Sequence, residues 1–360
     1  MADRLETLKR KLGTLESSAL SVQQCREAAL TMISDTVPFA AACCTSVDPV
    51  TLLSTGSSTD DVIEAIHHQL FAYEYGHGHE DYNSYEHLIH APLPAASLSA
   101  ATEGILSRSG RFREVLAPAG FGDELRVVLL SEGACWGYLT LFRRTGEPAF
   151  REEERLILAA IAPGLAKSIK NVALKPSSSN ITAKAKESGI LILTDSLELS
   201  SSNASGAHWL AELRKLERID TERLPRPLRA VCSRALGQSR EYAASTQMNA
   251  AKVCLLMPDG LYLAIEATKL ENPYGLVQLA VTMLPAKPAD ILPLITYAYA
   301  LTAREYEVTE RIIKGFSTKE MVQSLHISAY TVQDHLKSIF VKMGVNSRRE
   351  LLWELVSKHS

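Results

Sequence analysis

The last sixty residues repeat one local device too often for chance. A Ser or Thr ahead of a helix accepts a hydrogen bond from the third helical N–H, and a Glu at that third position bonds back. Thr302-Ala303-Arg304-Glu305, Ser317-Thr318-Lys319-Glu320 and Ser347-Arg348-Arg349-Glu350 have this form. Ser328-Ala329-Tyr330-Thr331 has the Ser without the Glu. Each cap contributes about 1 kcal/mol. Together they restrict residues 301–360 to four closely spaced helices, with Gly315 and Gly344 as stops after the first and third.

The apolar spacing agrees. Val308, Ile312 and Ile313 follow the first cap, Met321, Val322 and Leu325 the second. His326-Ile327 form a turn. Val332, Leu336, Ile339, Phe340 and Met343 mark one face of the third helix, and Leu351, Leu352, Leu355 and Val356 belong to the fourth. A short helix, a tight turn and a longer helix is the geometry that seats a helix in the major groove. The other face of the third helix carries Thr331, Gln333, Asp334, Lys337, Ser338 and Lys342. Gln pairs with adenine, Lys with guanine, and an acid accepts from the cytosine amino group. Polarity alone fits an ordinary solvated face equally well; the surrounding caps tip the balance toward DNA.

Leu301-Thr302, Arg304-Glu305, Glu307-Val308, Gly315-Phe316-Ser317, Lys319-Glu320, Ile327-Ser328, Thr331-Val332, His335-Leu336, Ile339-Phe340, Lys342-Met343-Gly344-Val345 and Ser347-Arg348 span the whole module. With these residues it resembles the LuxR-type helix-turn-helix. The resemblance implies that Gln333, Asp334 and Lys337 approach base edges while Lys319, Thr331 and Lys342 lean on phosphates. Thr318, Ser328 and Ser338 complete the candidate DNA-binding set. Two features depart from the family pattern: Met321-Val322 stands where Ile-Ala is frequent, and Asp334 sets an acid close to phosphate.

The chain has 360 residues, 46% of them apolar, enough for two or three domains with real cores. Its net charge of −3 is unlike a nucleic-acid coat. Residues 301–360 hold nine Lys or Arg against seven Asp or Glu, leaving 29 against 34 elsewhere, so the positive end coincides with the module. None of the six cysteines forms a Cys-x-x-Cys pair, and adjacent Cys43 and Cys44 fit alternate faces of one strand. Neither a signal peptide nor an apolar run of about 20 residues stands out. The expectation is a reduced, cytoplasmic protein away from membranes.

The rest of the chain breaks at Lys175-Pro176-Ser177-Ser178-Ser179-Asn180 and at Pro285, Pro288 and Pro293. The boundaries expected are an N-terminal helix at 1–20, a first domain at 21–172, a linker at 173–186, a second domain at 187–284, a linker at 285–298, and the module at 299–360. In the first domain, helices near 21–36, 60–72 and 152–170 surround strands near 39–47, 51–55, 125–130 and 135–142. Arg108-Ser109-Gly110-Arg111-Phe112, Glu114-Val115-Leu116, Glu124-Leu125-Arg126 and Trp136-Gly137 resemble GAF-type regions, which implies a small-molecule pocket between sheet and helices. In the second, strands 189–194, 253–257, 261–267 and 275–284 and a helix at 203–213 resemble a PAS-like domain. The fold class is therefore multidomain: an α+β GAF-like sensor, an α+β PAS-like domain and an all-α four-helix LuxR-type module.

Two patterns invite sharper readings. His67, His68, His77, His79, His87 and His90 crowd one stretch, and His87-x-x-His90 could share a helix face as metal or haem ligands. A polar surface made flexible by Gly76 and Gly78 explains them better, and no metal or cofactor is expected. Leu5, Leu8, Leu12, Leu15, Ala19 and Val22 follow 3,4 spacing, as in a coiled-coil seam or a helix packed on its own domain. Phosphate-loop, nucleophile-elbow and His-Glu-x-x-His motifs are lacking, which argues against an enzyme. The reading is a sequence-specific transcriptional regulator, homodimeric on double-stranded DNA, with a small-molecule effector and RNA polymerase as further partners. The alternative is a metal- or small-ligand-binding sensor whose C-terminal module serves mainly partner contacts.

Overall fold

The computed structural model describes residues 2–17, 20–75, 81–174, 187–220, 222–237, 250–271 and 275–357. It is a multidomain α+β protein with two antiparallel sheets and a C-terminal helical domain. The first unit runs α1 (Ala2–Ser17), α2 (Val22–Ser34), β1 (Ala41–Val47), β2 (Ser54–Thr59), α3 (Asp61–Tyr75), α4 (Tyr85–His90), β3 (Ala95–Ser97) and α5 (Leu98–Ala101). Two helical turns at Leu106–Arg108 and Phe112–Leu116 precede β4 (Phe121–Ser131), β5 (Ala134–Arg144) and α6 (Glu152–Ala173). The sheet order is β2-β1-β5-β4-β3. The β4–β5 hairpin turns on Glu132 and Gly133, both at positive φ, as a two-residue turn matched to strand twist requires.

Helices cover both faces of this sheet. On one, Leu8, Leu12 and Leu15 of α1 join Cys25, Ala29 and Ile33 of α2 and Leu158, Leu165 and Ile169 of α6 over Leu125, Val127, Leu139 and Leu141. The 3,4 leucine spacing of α1 thus faces its own domain's core, not a coiled-coil partner, because the apolar face of α6 lies alongside it. Ala19 is outside the described residues. By length and composition α6 could cross a membrane, yet most of its apolar surface is buried against β4 and its neighbours. On the other face Ile63 of α3 and Leu98, Leu116, Phe121 and Phe142 form a second cluster. Cys43 belongs to this cluster and Cys44 to the first, one on each side of β1, as alternation demands. All six cysteines are buried and unpaired.

The second unit runs β6 (Gly189–Thr194), β7 (Leu199–Ser202), α7 (Ala204–Glu217), α8 (Arg226–Gly237), β8 (Lys252–Leu256), β9 (Tyr262–Glu271) and β10 (Val277–Pro285), with sheet order β7-β6-β10-β9-β8. Counted within each unit, the two sheets have the same order, second-first-fifth-fourth-third. Pro258-Asp259-Gly260 makes the expected turn between β8 and β9, with Gly260 at φ 89°. α7 and α8 cover one face, and Leu53, Phe71 and Tyr75 of the first unit enter the same core. Polar groups tie the seam: the Glu64 carboxylate on α3 accepts from Arg226 and, at 2.7 Å, from Arg229 on α8. The carboxylate of Asp48 accepts from the Cys254 backbone N–H at 2.8 Å.

Residues 285–298, expected to be a linker, instead end β10 and form α9 (Pro288–Ala298). Pro288 occupies the first helical position, where its missing N–H has no partner to lose and its φ is already helical. Asp290 closes the helix start by accepting from the Lys287 N–H at 2.9 Å. The linker expected at 173–186 lies, from 175 onward, outside the described residues. The last four helices are α10 (Ala303–Ile313), α11 (Thr318–Leu325), α12 (Ala329–Met343) and α13 (Arg348–Leu352), the last continuing into a wider turn at Trp353–Ser357.

Candidate nucleic-acid interface

The capping chemistry is made at every helix start of the C-terminal domain. Thr302 and Ser317 accept from the N–H groups of Glu305 and Glu320, whose carboxylates accept in return at 2.7 Å. Ser328 accepts from the Thr331 N–H at 3.0 Å and Ser347 from the Glu350 N–H at 3.1 Å. Glu350 departs from the reciprocal pattern and accepts from the Asn346 N–H instead. Between α11 and α12, His326 takes the left-handed conformation (φ 54°), which lets the chain reverse in two residues.

This turn fixes which way α12 faces. Val332, Leu336, Ile339 and Met343 are buried in one cluster with Val308 and Ile312 of α10 and Met321 and Leu325 of α11. The opposite side is open, and Gln333, Asp334 and Lys337 lie there together, exposed. Lys337 Nζ sits 3.9 Å from an Asp334 carboxylate oxygen, with both side chains well solvated. Such a pair contributes little and leaves both groups free to rearrange on a ligand. Tyr330, 75% exposed, and Val341, 82% exposed, stand on the same side. Sequence reasoning passed over them because it sought polar donors; a helical wheel of residues 329–343 places both in the centre of that face.

The other candidate residues divide differently. Thr318 and Lys319 open α11, the first half-buried and the second exposed. The Ser328 and Thr331 hydroxyls are 2.9 Å apart and bond to each other at the start of α12. Ser338 and Lys342 turn toward α10 rather than out: Ser338 Oγ donates to Glu305 at 2.6 Å, and Lys342 Nζ donates to Glu305 at 2.6 Å and to the Ala300 carbonyl at 2.9 Å. Burial pushes the Glu305 carboxyl up, but hydrogen bonds from Lys342, Ser338 and the Thr302 N–H outweigh it and hold it at about 2. The nine residues thus form an outward-facing group, a helix-start group and an internal group that clamps α12 to α10.

Among the described residues the histidine-rich stretch does not assemble. His67 is buried on α3 with its ring against Phe71, while His87 and His90 are exposed on α4. His77 and His79 lie outside the described residues. Among the described residues, no group of three or more His, Cys, Asp or Glu is disposed to hold a metal ion.

A family profile described as bacterial regulatory proteins, luxR family, matches residues 299–354. The spore germination protein GerE of Bacillus subtilis is 39% identical over 56 residues, covering 16% of this chain and 76% of GerE. The transcriptional regulatory protein DegU of Brevibacillus brevis is 36% identical over 58 residues, covering 16% of this chain and 25% of DegU. The chain therefore spans three quarters of one relative and one quarter of the other. A solved Vibrio cholerae VqmA dimer aligns at 17% identity over 47% of this chain and 81% of its own, with a TM-score of 0.20, a superposition too loose to carry an inference. With its capped four-helix module and a relative matched over most of its length, the chain belongs to the luxR family of bacterial regulatory proteins.

Proposed function

We propose that the protein regulates transcription by placing α12 in the major groove of a specific DNA sequence, under control of two sensor units. The observation that carries this reading is the sidedness of α12. Gln333, Asp334 and Lys337 are presented on one exposed face of a helix whose other face is locked into the module's core. In this reading Lys319 and the α11 start contact phosphate, as do Ser328 and Thr331 at the start of α12. Residues 21–172 are read as GAF-like and 187–284 as PAS-like, supported by their shared strand order. The reader comprises 299–360, with α9 as its coupling helix. A single module covers little DNA, so the working form is a homodimer on two half-sites about 10 bp apart. The protein is cytoplasmic and non-catalytic in this reading, and meets RNA polymerase at the promoter.

Exposed Tyr330 and Val341 favour a second reading, in which the module docks on a protein. Gel shifts on genomic fragments over a salt series decide between them. A DNA reader loses roughly 10³-fold or more in affinity between about 50 and 200 mM salt. Lys337→Ala is expected to lose about 1–3 kcal/mol on the preferred site and to relax base preference there. Salt-independent retention, or a Lys337→Ala protein with unchanged preference, refutes the DNA reading.

A further inference from the structure

The two sheets, with α2, α6, α7 and α9, line a half-open cavity of about 540 Å³, a volume typical of small-molecule sites. Its polar end holds Arg26, Gly56 and Glu217; Trp136, Leu256 and Leu294 form apolar wall. Arg26 is 4% exposed. Its guanidinium donates to Ser46 Oγ at 2.7 Å, to the Gln23 side-chain oxygen at 2.6 Å and weakly to Ser58 Oγ at 3.5 Å, all neutral partners. Among the described residues no carboxylate lies within 4.0 Å of it. Glu217 is engaged elsewhere, accepting the Arg226 N–H at 3.0 and 3.2 Å and lying 3.6 Å from the Arg226 guanidinium. The other acid on the lining, Asp48, is held by the Val50 and Cys254 N–H groups.

The nearest carboxylate to Arg26, Glu217, stands beyond direct contact across Gly56 and is shared with Arg226, so the buried guanidinium is only partly compensated, and its fork matches a second carboxylate. Gly56, at φ 149°, keeps the approach clear: a Cβ there would stand 3.3 Å from an Arg26 nitrogen. Trp136 is buried with its indole nitrogen unpartnered, and presents an aromatic wall to the same space.

We propose that this cavity binds a small amphipathic carboxylic acid, its carboxylate on Arg26 and its apolar body against Trp136, Leu256 and Leu294. The site deepens the sensor reading and rests on it for its consequence. Leu294 belongs to α9, whose Ile291, Ile295 and Ala298 share one apolar cluster with Val308 and Ile312 of α10. An acid pressing on Leu294 therefore acts on the helix that carries the DNA module.

The test is tryptophan fluorescence and calorimetric titration of the full-length protein without DNA. The probes are indole-3-propionate, octanoate and their primary amides. At least one acid is expected to bind saturably, with its amide about tenfold weaker or more. Arg26→Gln is expected to weaken the acid by about tenfold or more and to leave the amide nearly unchanged. Because Arg26 is buried, Leu256→Trp supplies a second variant, which fills the cavity beside an intact Arg26 and abolishes binding. Acids and amides that bind alike, an Arg26→Gln protein that binds as the parent does, or no saturation by either acid up to about 10 mM overturns the proposal. Since binding is read without DNA, a failed gel shift leaves this result standing, and the converse holds.

Discussion

Glu305 joins three roles in one carboxylate: it closes the α10 cap, receives Ser338 and receives Lys342. Its carboxyl is held at about 2, so the stabilisation is full above the ordinary carboxylate value near 4.5 and is lost as pH falls from there toward 2. Lys342→Ala removes the strongest partner and is expected to lower stability by about 1–3 kcal/mol at pH 7, with a smaller loss near pH 3. Urea unfolding followed by circular dichroism at both pH values checks this; an equal loss at both removes the ion pair from the account. The caps themselves were legible in the sequence because each is settled within four residues. The inward turn of Lys342 and Ser338 was not. It depends on how α10 crosses α12, a contact between residues more than thirty positions apart.

At the scale of elements, the strands and helices that obey a simple period were readable: β6, the β4–β5 hairpin and α6 fall where alternation and 3.6-residue spacing put them. α9 was hidden by its prolines, whose reading as breakers ignores that one of them opens a helix favourably. α8 was missed because its buried face includes Arg226 and Arg229, charges that appear solvated until Glu64 is brought over them. Two glycines test the packing of these elements in opposite directions. A Cβ at Gly137 would stand 2.4 Å from the Thr45 carbonyl oxygen, so Gly137→Ala must force β1 from β5 and is expected to lose more than about 3 kcal/mol. Gly164, exposed inside α6 with nothing within 4 Å of a Cβ, is expected to gain about 0.5–1 kcal/mol as Ala. Thermal midpoints of the two proteins should move apart; a destabilised Gly164→Ala protein contradicts the packing described for α6.

Across the whole molecule, the units are bound by buried charge as well as by apolar surface. Glu64 is the shared acceptor for Arg226 and Arg229, so Glu64→Ala strips Arg229 of this carboxylate and leaves Arg226 with Glu217 at 3.6 Å, and is expected to cost about 3 kcal/mol. Differential scanning calorimetry should show the first and second units melting apart in that variant; a single unshifted transition counts against the seam. The strand order has a consequence for how the chain comes into being. In each sheet the last strand made, β5 or β10, is the one that lies in the middle and joins the first strand to the fourth. Until the ribosome has delivered Ala134 to Arg144, β1 has only β2 beside it and an edge of unpaired N–H and C=O groups open to other chains. At about 5–20 residues per second that interval lasts on the order of ten seconds, and it recurs for β6. Slower translation prolongs the exposure, so the yield of soluble protein is set at two points of synthesis, each ending when a central strand arrives.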